Sequence, residues 1–502
     1  MRQMHLPINA LCDLILQNPL ARGQRGREKG KRGISLLDRH MVWLKVAHGV
    51  ITVLVAMGTI GFSLVGCSPS EESTKELSEE PSVSQATANL PPADSTQPWV
   101  EEADVTPDSP LTVLPENPDP TIQGLVEDYL AQLEAQGFGT AEQGIWMQTE
   151  EMLLANHQGT TRFPAASVTK VATALAALKT FGPDREFVTE LGTTGSIENG
   201  VLNGDLVVTG DSDPLFIWEE AIAVGNLLNE MGIDRITGDL IVREGFYMNF
   251  EVDSQYSGEL FKEGLNGNTW SSAAETQYQT LPLGTPRPQV EIEGNVRVAS
   301  PPANLQPLLR HYSLPLAEQL KLMNRYSNNM VAQTIADAVG GADVVEQIAV
   351  EATGVPPEEI QLINGSGLEE DNQISPRAAV ALFLALQEYL EPLNLNAADV
   401  VAVVGKDEGI LEVRSLPALS VVKSGSLNRV STIAGGIPTQ DKGTIWIAIM
   451  NGGVNMQGFR DAQDVVLNQL VNQWGAVSAS PTQLSPNPQR AGKVSRREKA
   501  IE

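Results

Sequence analysis

The sequence predicts an α/β chain of the α+β kind, with an antiparallel sheet in one body and a strand-rich domain inserted into it. Three observations carry this expectation. An alanine- and leucine-rich stretch over 164–182, PAASVTKVATALAALKTFG, reads as a helix that stops at a glycine. From about 185 to 300 short β-like runs such as VLNGDLVVTG and RITGDLIV alternate with Gly/Asp turns, around one helical stretch, WEEAIAVGNLLNEMG. Later the runs LSVVKSGS, VSTIAGGIP and GTIWIAIMN follow in close succession, as in an antiparallel sheet.

The elements follow in order. The chain opens with a basic segment: residues 1–45 hold nine Lys/Arg against three Asp/Glu. Gly49 to Gly66 is an uncharged run that ends in Leu64-Val65-Gly66-Cys67-Ser68. This resembles the bacterial lipoprotein signal-peptide box, which implies lipidation of Cys67 and removal of 1–66, so that the rest lies on the extracytoplasmic (periplasmic) side, tethered to a membrane. Translation starts at either Met1 or Met41. Residues 67–120 contain ten prolines, twelve acids and one lysine, a composition that cannot bury enough apolar surface to offset ordering, so a disordered spacer is expected. Helical spacing begins in IQGLVEDYLAQLEAQ, and GIWMQTEEMLLANHQGTTRF supplies two strand-like runs around a polar turn. Beyond the insert, helical pattern returns at 302–350, and Ser375-Pro376 reads as an N-cap with proline at the first helical position. A last amphipathic helix runs from about Gly458 to Trp474. The expected division is therefore a leader at 1–66, a spacer at 67–120, a catalytic domain at 121–184 and 301–475, an insert at 185–300, and a disordered tail at 476–502.

Composition narrows the chemistry. With 62 acidic and 34 basic residues the chain carries a net charge of −28, so a nucleic-acid partner is not expected. Two cysteines and five histidines, three of which precede residue 50, leave little for a metal site, and neither metal nor cofactor is expected. Ser167-Val168-Thr169-Lys170 stands at the start of the alanine-rich helix, where residues three apart share a face. A desolvated lysine with a lowered pKa can accept the serine proton and so activate a weak nucleophile without histidine. Ser420-Val421-Val422-Lys423 has the same spacing in a strand, where the two side chains point to opposite faces.

Ser-x-x-Lys accompanied by Ser-Asp-Asn and Lys-Thr-Gly is the signature of serine β-lactamases and penicillin-binding proteins. Here Ser327-Asn328-Asn329 opens a helical stretch, and Lys423-Ser424-Gly425 lies on a strand-like run. Together with FPAASVTKVATALAAL, SNNMVAQTI, NGSGLEEDNQISPRAAVALF and VKSGSLNRVSTIAGGI, these motifs resemble the class C low-molecular-mass penicillin-binding proteins over about 125–475. The resemblance implies a transpeptidase/β-lactamase-like domain, an antiparallel sheet between helical layers, and D-alanyl-D-alanine carboxypeptidase/endopeptidase activity on peptidoglycan stem peptides, with β-lactams as covalent inhibitors. It implies Ser167 as nucleophile and Lys170 as its base. Ser327 and Asn329 would relay a proton to the leaving amine and hold the peptide amide. Lys423 with Ser424 would face the terminal carboxylate beside Gly425, and the amides of Ser167 and Ser426 would form the oxyanion hole. Gly365-Ser366-Gly367 is a family marker expected to be structural. Three features depart from the family pattern: Lys-Ser-Gly replaces the commoner Lys-Thr-Gly, the interval 171–326 is short for the family's insertion, and the lipid anchor is an addition. The competing expectations are a β-lactamase or serine esterase of the same superfamily, and a non-catalytic peptidoglycan-binding lipoprotein.

Overall fold

A computed structural model describes residues 111–114 and 116–500. The leader, Cys67 and the spacer up to residue 110 lie outside the described residues. Among the described residues no helix is long and apolar enough to cross a membrane.

The catalytic body begins earlier than its apolar periodicity suggests. Leu111 and Val113, expected to belong to the spacer, pack on the hydrophobic core, and the Leu111 carbonyl accepts a hydrogen bond from Gln148. Helix α1 (Pro120–Ala135) starts where Asp119 caps the Thr121 and Ile122 amides, with Pro120 in the first turn, and it buries Ile122, Val126, Tyr129, Leu130 and Leu133 on one face. Strands β1 (Gln143–Gln148) and β2 (Leu153–His157) form the expected pair. A 3-10 turn at Ala166–Val168 then leads into α2 (Thr169–Phe181), which ends at Gly182 with φ of 76°. Every residue of α2 from Thr169 to Leu178 is buried, as befits a helix that is apolar on all sides.

The inserted region follows: β3 (Val188–Thr193), β4 (Leu206–Thr209), α3 (Trp218–Glu230), β5 (Leu240–Val242), α4 (Ser254–Gly264), a short helix Ser272–Tyr278, β6 (Val296–Val298) and β7 (Gln306–Tyr312). It is less purely stranded than expected, because Ser254–Gly264 and Ser272–Tyr278 are helical; their polar texture, with Asp253 and Ser271 as side-chain caps, hid the pattern. It has its own core, where Phe216, Phe246 and Phe261 meet edge to face with ring centroids 5.3–5.7 Å apart.

Two boundaries need correction. The insert does not close at 300, and 306–312 is not helical: β7 pairs antiparallel with β3, with a register shift between Pro307 and Leu309. The adjacent leucines Leu308 and Leu309, both buried across that irregularity, mask the two-residue period of a strand. Nor is the tail disordered as far as residue 500. Leu484 is fully buried in the catalytic core, Arg490 reaches Glu318 and Asp184, and β11 (Arg496–Lys499) pairs with β7 to finish the insert's sheet, in the order β6-β5-β4-β3-β7-β11. A segment so poor in apolar residues is held by backbone pairing and by acids contributed from distant elements.

The chain returns to the catalytic body with α5 (Leu316–Tyr326), α6 (Asn329–Val339), α7 (Ala342–Thr353) and α8 (Pro376–Leu390), whose N-cap is Ser375 with Pro376 in the first turn, as expected. Strands β8 (Val421–Leu427), β9 (Val430–Thr439) and β10 (Gly443–Gly452) join β1 and β2 in a five-stranded antiparallel sheet ordered β8-β9-β10-β1-β2. Helix α9 (Met456–Trp474) closes the body. Along β10, Trp446, Ala448 and Met450 enter the core that contains α2 and α8, whereas Ile445, Ile447 and Ile449 enter the core that contains α1 and α9. Alternation thus buries both faces of the sheet between helical layers, which explains why β10 reads as a continuous apolar run. It also leaves β8 as an outer strand beside the start of α2.

Candidate active site

The site forms where the 3-10 turn before α2 meets the outer strand β8. Ala166 holds φ of 46°, an uncommon conformation for a residue with a side chain, and this kink presents Ser167 at the head of α2. Two glycines permit it. A Cβ on Gly367 would lie 1.8 Å from the Ala166 carbonyl oxygen, and one on Gly425 would lie 2.7 Å from the Ser167 nitrogen. The glycine of Lys-Ser-Gly therefore lets strand β8 pass against the turn that carries Ser167. Thr432, across the sheet from Gly425, donates to the Ala165 carbonyl at 2.9 Å and ties β9 to the same turn.

Lys170, the second residue of α2, is 0 % exposed, and Ser167 is half-buried. The Lys170 ammonium nitrogen, Nζ, lies 3.0 Å from Ser167 Oγ, 2.7 Å from Asn329 Oδ1 and 2.6 Å from the Ser366 carbonyl oxygen. Burial holds its pKa well below the usual lysine value, and the nearby charge of Lys423 lowers it further. Gly365-Ser366-Gly367, expected to be structural, thus supplies a direct acceptor to the lysine; its neighbour Thr173 donates to the Gly365 carbonyl at 2.7 Å.

Ser327 and Asn329 arrive from the junction of α5 and α6. Ser327 ends α5 in the left-handed conformation, φ 54° and ψ 40°, which costs a non-glycine residue about 1 kcal/mol. Asn328 caps the amide of Val331, so Ser327 sits between the helices rather than opening the second one, as the sequence suggested. Lys423 Nζ donates to Ser327 Oγ at 2.9 Å and to the Ser424 carbonyl at 2.7 Å. Burial pushes the Lys423 pKa down to about 7. Ser420, of the second Ser-x-x-Lys, is buried away from this cluster, and its hydroxyl has no hydrogen-bond partner.

The sequence-derived set is therefore gathered in one place: Ser167 with Lys170 and Asn329, and Ser327 with Lys423, beside the Ser424-Gly425-Ser426 strand. Sequence reasoning missed Thr432 and the lysine-binding carbonyl of Ser366. It also missed Arg460 on α9, whose guanidinium donates to Ser426 Oγ at 2.7 Å. Only Ser366 had a local signal, the Gly-Ser-Gly turn. The other two follow from strand register and helix docking. His157 hydrogen-bonds the Thr140 carbonyl and His311 is buried in the insert, so they share no site.

Fold and site together define a serine-type hydrolase of the penicillin-binding class. The chain belongs to the D-Ala-D-Ala carboxypeptidase 3 (S13) family, whose model matches residues 123–256 and 286–472, and it is accordingly a serine D-Ala-D-Ala carboxypeptidase acting on peptidoglycan. It is 23% identical over 387 residues to the D-alanyl-D-alanine carboxypeptidase DacB of Haemophilus influenzae, covering 57% of this chain and 80% of that protein. Among solved structures, the penicillin G-acylated predatory endopeptidase Bd3459 of Bdellovibrio bacteriovorus superposes with a TM-score of 0.57 at 21% identity, over 71% of this chain and 99% of that one. Penicillin-binding protein 4 of H. influenzae, in complex with a β-lactam, gives 0.52 at 19% identity, over 68% and 99%. Both share the fold.

Proposed function

We propose that Ser167 is the acylated nucleophile of this carboxypeptidase and Lys170 its general base. The observation that carries the assignment is a fully buried lysine 3.0 Å from the serine hydroxyl, with no carboxylate within ion-pair distance among the described residues. Burial, and then the charge of Lys423, lower its pKa, which favours the unprotonated state that a base requires. Ser167 Oγ attacks the carbonyl carbon of the penultimate D-Ala, and the hydroxyl proton passes to Lys170 Nζ. The amides of Ser167 and Ser426 receive the developing oxyanion. As the C–N bond breaks, Ser327 Oγ gives its proton to the leaving amine and recovers one from Lys423. Before deacylation Lys170 releases the proton taken from Ser167 to solvent and Lys423 regains one from solvent, so both lysines return to their starting states. Water then attacks the acyl ester and gives a proton to Lys170, which passes it to Ser167 Oγ as that oxygen leaves. Asn329, which shares Lys170 with Ser167, orients the lysine and the peptide amide.

The same site hydrolyses D-Ala cross-links when the leaving amine belongs to a second stem peptide, so an endopeptidase activity accompanies the carboxypeptidase. A β-lactam enters by the same attack and leaves a lasting ester on Ser167. The test is mass spectrometry of tryptic peptides after incubation with penicillin: the adduct is expected on the Ser167 peptide, and an adduct on another serine, Ser420 included, overturns the assignment. The protein works on the extracytoplasmic side, held to a membrane by lipid on Cys67. In that case Cys67→Ala should leave residues 1–66 attached and prevent lipidation, whereas loss of residues 1–66 from the variant, or a wild-type Cys67 peptide of unmodified mass, would remove the lipid from the account.

A further inference from the structure

Ser327 and Lys423 meet at 2.9 Å although they come from different elements: Ser327 ends α5, and Lys423 is the third residue of β8. One segment, residues 398–410, is fastened to both. On the β8 side, Val404 donates to the Ser420 carbonyl at 2.9 Å and Leu419 donates back to the Val404 carbonyl at 3.0 Å. Val422, the residue before Lys423, donates to the Ala402 carbonyl at 3.3 Å. On the α5 side, the Ile410 amide donates to the carbonyl of Arg325, two residues before Ser327, at 3.1 Å, and Arg325 Nε donates to the Glu408 carbonyl at 2.9 Å. Gly409, with φ of 143°, permits this approach, since a Cβ there would lie 2.5 Å from the Arg325 carbonyl oxygen. The left-handed conformation of Ser327 persists only where its surroundings fix it, and this segment is one of the parts that fix it.

The segment is braced from within by Asp407. Its carboxylate accepts from the Val403 amide at 2.7 Å and pairs with Lys321 of α5 at 2.5 Å, with the two side chains 20 % and 15 % exposed. Lys321 Nζ also donates to the carbonyls of Ala398 and Val401 at 2.8 and 2.7 Å, and Asn324 of the same helix reaches the Val400 carbonyl at 2.9 Å. A pair so shielded from water holds its geometry, and removing one partner leaves the other uncompensated. We propose that Asp407 is a positioning residue: with Lys321 it braces the segment 398–410, which holds the end of α5 against β8 and keeps Ser327 Oγ in reach of Lys423 Nζ. The inference rests on the assignment of Ser327 and Lys423 as the proton relay above. The Asp407 carboxylate is spent on Val403 and Lys321, so it acts on the relay through the backbone of the segment and not by contact.

The test is stopped-flow acylation by penicillin G, which separates the saturating rate from the concentration that half-saturates it. Asp407→Ala should lower the saturating rate by about tenfold to a hundredfold, the scale of a small misplacement of a reacting group, and leave the half-saturating concentration within about twofold. Asp407→Asn keeps an acceptor for the Val403 amide and should recover part of the loss, so the measurement stands even where the alanine variant folds poorly. Gly409→Ala, which presses on the Arg325 carbonyl from the other end of the segment, should give the same signature. The exposed Glu412→Gln, beyond these contacts, should change neither constant. In a Ser327→Ala background Asp407→Asn should cost nothing further, because the group it positions is gone. A full additional loss in that background, or a rise in the half-saturating concentration in place of the rate loss, would make Asp407 merely structural and overturn the proposal. Acylation of Ser327→Ala at the wild-type rate would instead overturn the relay assignment, and with it the inference built on it.

Discussion

The nitrogen of Ser167 would lie 2.7 Å from a methyl group placed on Gly425, and Thr432 Oγ1 would lie 2.4 Å from the same carbon. These two residues, 258 positions apart, are in contact because strand β8 runs directly beside the turn that begins α2. The glycine therefore leaves the room in which the Ser167 amide sits against β8. Gly425→Ala should slow penicillin acylation by about a hundredfold or more, the scale of losing an oxyanion donor. Stopped-flow acylation kinetics would show this, with a melting temperature lowered by only a few degrees.

Lys170→Arg keeps a cation in the pocket but removes the base, since a guanidinium does not release its proton near neutrality. Acylation should fall by at least about a thousandfold, within the range of general base catalysis. A rate close to wild type in rapid-quench labelling would contradict the lysine-base assignment.

The two lysines should shape the pH profile in opposite senses. Lys170, whose pKa is well below its usual value, must lose its proton to act, so kcat/KM rises with pH through its acid limb. Lys423 sits at about 7 and must keep its proton to serve Ser327, so kcat/KM falls above about pH 7. A substrate carboxylate nearby favours the protonated form, and the alkaline limb of kcat should lie higher than that of kcat/KM. Lys423→Arg should flatten the alkaline limb, at some cost in maximal rate.

Stability should follow the same groups. An unfolded chain binds protons at both lysines up to about pH 10.4, whereas the folded chain releases that of Lys423 from about 7 upward. Between those values the unfolded state holds more protons, so the lysine's destabilising effect is greatest below about 7 and fades as pH rises toward 10. Lys423→Met should accordingly raise the melting temperature at pH 6 more than at pH 9, which differential scanning calorimetry would read directly.

The tail ties insert and body together. Its Leu484 is buried in the catalytic core, and Arg490 bonds Glu318 at 2.6 and 2.7 Å. Leu484→Ala should cost about 2–5 kcal/mol, the range for a buried leucine. Arg490→Ala should cost about 1–3 kcal/mol and lose part of that effect at high salt. Urea unfolding at two ionic strengths would separate the two.

Local pattern was enough for the reacting groups. Ser167 and Lys170 are three residues apart at the head of an apolar helix, so their meeting depends on helix geometry alone. The Ser375-Pro376 cap and the β8–β9–β10 strands were legible for the same reason, since a cap and a short apolar run are properties of a few neighbouring residues. What the sequence could not determine is which distant elements touch. The Ser366 carbonyl beneath Lys170, the left-handed turn at Ser327, Thr432 behind Ala165 and Arg460 over Ser426 arise from strand register and helix docking between segments up to 267 positions apart. The strand at 496–499 is the clearest case: its residues, RREK, carry no apolar signal, and it exists because β7 offers an edge and Glu220 and Glu186 offer counter-charges. Short-range chemistry is written along the chain, whereas complementarity between surfaces appears only once the packed core has brought them together.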